Sequence, residues 1–112
     1  MKHIGDAILV TEDSAIITIN LPTNREHFAE FTAAVLRCDT LEAFDLAEGI
    51  TLWLDEEGRN AWPYNTLIDA LGHLYGHTNS FHGPVLITGY GQHVEPLPQE
   101  TALRILGELN RA

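Results

Sequence analysis

The stretch that most constrains the fold is ITLWLDEEGRNAWPYN, residues 50–65. Ile50, Leu52 and Leu54 alternate with Thr51 and Trp53, so the segment 50–54 reads as a strand with an aliphatic face and a Thr/Trp face. Trp53 must then lie either under a second layer or on an exposed, adhesive surface. Asp55-Glu56-Glu57-Gly58 stops the strand, and Gly58 can supply a positive φ for the turn. Trp62-Pro63-Tyr64 is an aromatic loop, and Asn65 or Thr66 is placed to cap a following helix.

The flanking sequence supplies partners for this strand. Ala7–Val10 and Ala15–Leu21 are apolar runs split by Thr11-Glu12-Asp13-Ser14, the signature of a β-hairpin. In the second run Ala15, Ile17, Ile19 and Leu21 share one face, and Ile16, Thr18 and Asn20 the other. Pro22 ends that run, and Thr23-Asn24-Arg25-Glu26 reads as a capping box, with the Thr23 hydroxyl accepting from the Glu26 amide. Phe28, Phe31, Val35 and Leu36 then recur at helical spacing. Thr32 is the one polar member of that stripe, its hydroxyl placed to bond back to the Phe28 carbonyl. Arg37 sits at the helix C-terminus, where a cation suits the dipole.

Leu41–Leu46 is a further strand, joined to the next through Ala47-Glu48-Gly49. Leu67, Ile68, Leu71, Leu74 and Tyr75 form the stripe of a second long helix that Gly76 terminates. Gly83-Pro84-Val85-Leu86-Ile87-Thr88-Gly89 is a short strand, with proline tolerated at its start. A last helix runs from about Pro98 to Leu109 with Ala102, Leu106 and Leu109 inward. The order β-β-α-β-β-α-β-α predicts a single α+β domain over residues 1–112, with helices packed on a mostly antiparallel sheet.

The chain length, 112 residues, suits one domain that buries roughly 65% of its unfolded surface. A composition that is 45% apolar and 20% charged is that of a globular protein. A single cysteine, Cys38, excludes an internal disulfide framework and fits a reducing cytoplasm. No run reaches the ~20 apolar residues of a membrane span, and the opening MKHIGDAILV is too short in apolar residues for a signal peptide. Sixteen acidic against six basic residues give a net charge of −10. That sign repels nucleic-acid phosphates and anionic lipid, and leaves a basic protein, a cation or simple solubility as its use.

The segments GITLWLDEEGRN, then Pro63 and Asn65, then GPVLITG occur in an order that resembles domain of unknown function family 3846. The likeness extends over about Phe31 to Gly89. It implies a small protein of the kind common in actinobacterial phages and plasmids. The family carries no established activity, so the resemblance implies no catalytic residue and no cofactor.

Read for chemistry, the residues offer one candidate partner-binding site and several weaker groupings. Trp62 and Tyr64 are aromatic anchors beside the carboxylates Asp55, Glu56 and Glu57, a combination suited to a basic protein partner. The same carboxylates alone lack the ligand spacing of a calcium loop. His73, His77 and His82 contain enough imidazoles for zinc, the alternative reading as a metal protein or hydrolase, although Gly76 interrupts the helical facing of the first two. Cys38 at a helix C-terminus is disfavoured as a thiolate. Gly89-Tyr90-Gly91 lacks the third glycine and the helix of a dinucleotide motif. A third reading, a structural homodimer, uses an exposed Trp53 as its contact.

Overall fold

The computed structural model describes residues 3–89 and 95–112, with Arg25 described by its backbone only. The element order is β1 (Ala7–Val10), β2 (Ile16–Ile19), α1 (Phe28–Leu36), β3 (Leu41–Ala47), β4 (Ile50–Asp55), α2 (Gly58–Ala61), α3 (Thr66–Leu74), β5 (Val85–Gly89) and α4 (Gln99–Asn110). A 3-10 turn, Arg25–His27, leads into α1. The one-turn helix α2 is the element the sequence pattern does not announce.

The strands form one sheet in the order β2-β1-β5-β4-β3, and every described pairing is antiparallel. The last of the described strands is thus the central one. Its run Val85-Leu86-Ile87-Thr88 is wholly buried, as a strand covered on both faces must be. Ile87 faces Ile8 on one side and Leu52 on the other, so three strands contribute one aliphatic row.

Helices cover both faces. Ile8, Val10, Ile50, Leu52, Leu54, Val85 and Ile87 pack with Ile68 and Leu71 of α3 and Ala102, Ile105 and Leu109 of α4. Ala7 and Leu86 pack on the opposite face with Phe28 and Leu36 of α1, joined by the partly buried Phe31 and Trp53. Each large aliphatic side chain buried this way contributes about 1.5–3 kcal/mol.

Trp53 is therefore under a helical layer. Its Nε1 donates to the Thr88 hydroxyl at 2.9 Å, which removes it as an exposed dimer contact. The other helix stripes hold with local exceptions. Leu74 is 63% exposed, because α3 ends there and the chain turns away. Tyr75 takes the C-cap and Gly76 follows at φ 86°, the left-handed conformation in which glycine ends a helix.

Three local expectations change in the structure. The Glu26 amide bonds to Asn24 Oδ1 at 3.0 Å, so an Asn24 side-chain turn replaces the Thr23 capping box. Gly58 is not needed for positive φ. A Cβ there would stand 3.0 Å from the His82 carbonyl oxygen, so close backbone approach is what the position requires. The Thr32 hydroxyl is fully buried and has no hydrogen-bond partner, so the bond back to Phe28 does not form.

An unpaired buried hydroxyl carries a desolvation penalty of about 1–3 kcal/mol. Thr32→Val keeps the shape, and valine matches threonine in helix propensity. We expect the variant to be more stable by about 1 kcal/mol, a rise of about 4 °C in melting temperature. An unchanged or lowered midpoint in thermal and urea unfolding would show that the hydroxyl is satisfied in solution.

Candidate functional site

The site residues expected from sequence sit where β4 runs into α2 and the 62–65 loop. β4 ends at Asp55, which is only 8% exposed. One carboxylate oxygen accepts from the Glu57 amide at 2.9 Å, and the other accepts from Trp62 Nε1 at 3.1 Å. The first bond closes the turn after the strand. The second fastens the aromatic loop to that turn.

Trp62 is held from further sides. The Arg37 guanidinium carbon lies 4.7 Å from the indole centroid, within cation–π range. Arg37 takes a left-handed conformation (φ 55°) as the C-cap of α1, and its Nη2 pairs with Glu12 at 3.2 Å. Gly83 lies directly against the ring: a Cβ there would stand 2.6 Å from Trp62 Cγ. Asp55 and Trp62 are thus joined to each other and to the body of the protein. Glu56, Glu57 and Tyr64 are exposed.

The 62–65 loop is fixed by pairing with residues 81–83. The Asn65 amide donates to Phe81 O at 2.8 Å, and the Gly83 amide to Pro63 O at 2.9 Å. Asn65 itself is 1% exposed. Its Oδ1 accepts from the Ile68 amide at 3.1 Å and caps α3, while Nδ2 donates to Val10 O at 3.0 Å and Gly83 O at 2.9 Å. One side chain joins the end of β1, the approach to β5 and the start of α3.

Tyr64 projects from this frame 59% exposed. Its ring centroid is 4.3 Å from that of His82, with the planes inclined by 36°. His82 is oriented by its Nδ1–H, which donates to Trp62 O at 3.1 Å. Beside the pair opens a cleft of about 320 Å³ lined by Glu42, Asp55, Glu56, Arg59, Ser80 and His82 among others. Three carboxylates against one guanidinium make it a negative recess. Its preference is for a cationic or hydrogen-bond-donating group, and the tyrosine beside it offers apolar area.

Glu42, Arg59, Ser80 and His82 were not legible as cleft residues. Glu42 arrives through the cross-strand pair Glu42↔Leu54, and His82 through the bridge Tyr64↔His82, both non-local. An acidic residue on a strand facing the β4 end was the one available signal, and it is visible only once β3 and β4 are paired.

The three histidines stay separate. His73 is exposed on α3. His77 Nε2–H donates to Leu46 O at 2.7 Å, and its ring packs edge-on against Phe44 with centroids 5.0 Å apart. Among the described residues no three His, Cys, Asp or Glu side chains gather to hold a metal ion, so the zinc reading of this region is not supported. Cys38 is half-buried and unpaired in any disulfide. Burial foremost, and then the negative charges of Asp55 and Asp39, push its thiol upward, away from nucleophilic thiolate. Tyr90 and Gly91 of the glycine motif lie outside the described residues. No helix among the described residues is long and apolar enough to cross a membrane.

An antiparallel five-stranded sheet with helices on both faces, and an acidic cleft beside an exposed aromatic pair, defines a small α+β domain. The family model for a domain of unknown function (DUF3846) matches residues 4–110, and the protein belongs to that family. The match extends beyond the segment 31–89 that carried the resemblance, at both ends. No curated protein and no solved structure matches the chain.

Proposed function

We propose that this protein is a non-enzymatic protein-binding module whose contact face is Tyr64 with the acidic cleft beside it. The observation that carries this reading is the Tyr64–His82 pair, exposed at the tyrosine and held rigid underneath by the Asp55–Trp62 and Asn65 bonds. A fixed aromatic loses little conformational entropy on binding and is a favoured anchor. Glu42 and Glu56 beside it suit an Arg or Lys of a basic partner, with Glu57 adding to the surrounding negative field. Asp55 and Trp62 support this face without meeting the partner directly. The resemblance to phage and plasmid proteins adds the expectation that the partner is a host factor whose action the protein modulates inside the cell.

Affinity capture from nuclease-treated host lysate, followed by titration of the captured protein, tests the reading. Tyr64→Ala is expected to weaken binding by at least ~10-fold, as loss of a hot-spot aromatic does. Glu56→Lys/Glu57→Lys should weaken it further, and wild-type affinity should fall as salt rises. Both variants alter exposed positions and should melt like the wild type. An empty wild-type capture, or a partner that binds both folded variants equally well, would overturn the reading.

A further inference from the structure

The two edges of the sheet are built differently. β3 carries Glu42 and Asp45 and is irregular between Asp45 and Ala47, features that discourage strand addition. β2 reads Ile-Ile-Thr-Ile, without charge, bulge or proline. Its Ile17 is 44% exposed.

The hairpin geometry sets which main-chain groups of β2 face outward. The Thr11 amide donates to Ala15 O at 2.9 Å, so Thr11 and Ala15 are a hydrogen-bonded pair. The register Val10↔Ile16, Leu9↔Ile17, Ile8↔Thr18 then alternates, and Ile17 bonds inward to β1. The amides and carbonyls of Ile16 and Thr18 point away from the sheet. Among the described residues no hydrogen bond reaches them.

We infer that this edge pairs with the same edge of a second copy, antiparallel about a two-fold axis at Ile17. The alternation restricts the register: outward groups must meet outward groups, so Ile16 lies opposite Thr18 of the other copy. The two such pairs make about four main-chain hydrogen bonds. Ile17 then meets Ile17 in the non-hydrogen-bonded position, where side chains approach most closely, and the exposed isoleucine gains an apolar neighbour. Glu12 and Asp13 lie in the hairpin turn and β2 itself carries no acid, so no acid within the paired strand faces an acid. The contact is isologous and closes as a dimer. An unrelated extended peptide would satisfy the main chain, but the match of Ile17 to itself and the absence of opposed acids favour the second copy.

The interface is small, so the dimer is weak and concentration-dependent. Each copy carries −10, and salt screens their repulsion, so dimerisation strengthens as salt rises. Binding at the Tyr64 cleft weakens under the same change, which separates the two proposals.

Sedimentation equilibrium over a wide concentration range, at low and high salt, tests the inference. The wild type is expected to show a monomer–dimer equilibrium shifted toward dimer by salt. Ile17→Lys places two cations at the axis, and Thr18→Pro removes an outward N–H that the monomer does not use. Each should weaken association by more than ~10-fold, with monomer circular dichroism and melting unchanged. The two variants disturb the edge by unrelated means, so either one decides if the other fails to fold. A wild type that stays monomeric throughout, or a dimer that a folded variant leaves intact, would overturn it. Dissociation of the dimer by an extended basic peptide that occupies the edge more tightly would assign the edge to a different partner.

Discussion

Asn65→Ala is expected to destabilise the protein by roughly 2–4 kcal/mol, lowering the melting temperature by roughly 8–16 °C. The substitution removes the cap of α3, a contribution of about 1 kcal/mol. It also leaves the Gly83 carbonyl without its donor in a place where Asn65 is 1% exposed, and takes the side-chain donor from the Val10 carbonyl, which keeps its ladder partner Val85. Each buried group left unpaired costs about 1–3 kcal/mol. Asn65→Asp separates these contributions. Aspartate caps a helix as well as asparagine does, but it turns an acceptor toward two carbonyls. We expect no rescue at neutral pH. Urea unfolding of the three proteins checks this, and a wild-type midpoint for Asn65→Asp would mean that only the cap matters.

Gly83→Ala is expected to cost roughly 3 kcal/mol or more, and to disturb the candidate site as well as the fold. Gly83 has φ 79°, where an L-residue is strained by about 1–2 kcal/mol. The new Cβ would also stand 2.6 Å from Trp62 Cγ and 2.7 Å from Cδ1, so the indole must move. Moving it breaks the Trp62–Asp55 bond and the contact with Arg37, and shifts the loop that carries Tyr64. Overpacking of this kind typically adds about 1–3 kcal/mol. Indole fluorescence should report a more solvated Trp62, while Trp53 remains under α1. A double-mutant cycle with Trp62→Ala isolates the clash: in that background Gly83→Ala should lose most of its cost beyond backbone strain. Equal costs in both backgrounds would assign the effect to the backbone alone.

Both predictions rest on residues whose type was readable and whose partners were not. Asn65 stood out as a helix cap because Asn before a helical stripe is a local pattern. That its amide also spans two strands depends on β1 and β5 lying side by side, which no spacing within the 62–71 segment encodes. Asp55 and Trp62 stand seven positions apart around a turn and are joined by a hydrogen bond. Sequence adjacency with Glu56, Glu57 and Tyr64 suggests one partner-binding site of five residues. The structure divides them, because Asp55 takes the inward-facing position at a strand end while the next two residues enter a solvated turn.

The sequence by itself determined the α+β class, the hairpin β1–β2, the alternation of Ile50, Leu52 and Leu54 against Thr51 and Trp53, and the end of α3 before Gly76. These follow from period, capping and backbone preference, which act over a few residues. Only the tertiary structure decided that β5 is the central strand, that α1 covers Trp53, that Glu42 and His82 join Asp55 around one cleft, and that the β2 edge is bare while the β3 edge is charged. Those depend on which distant segments pair, and that choice is made by the burial of whole faces, which no short stretch of the chain carries.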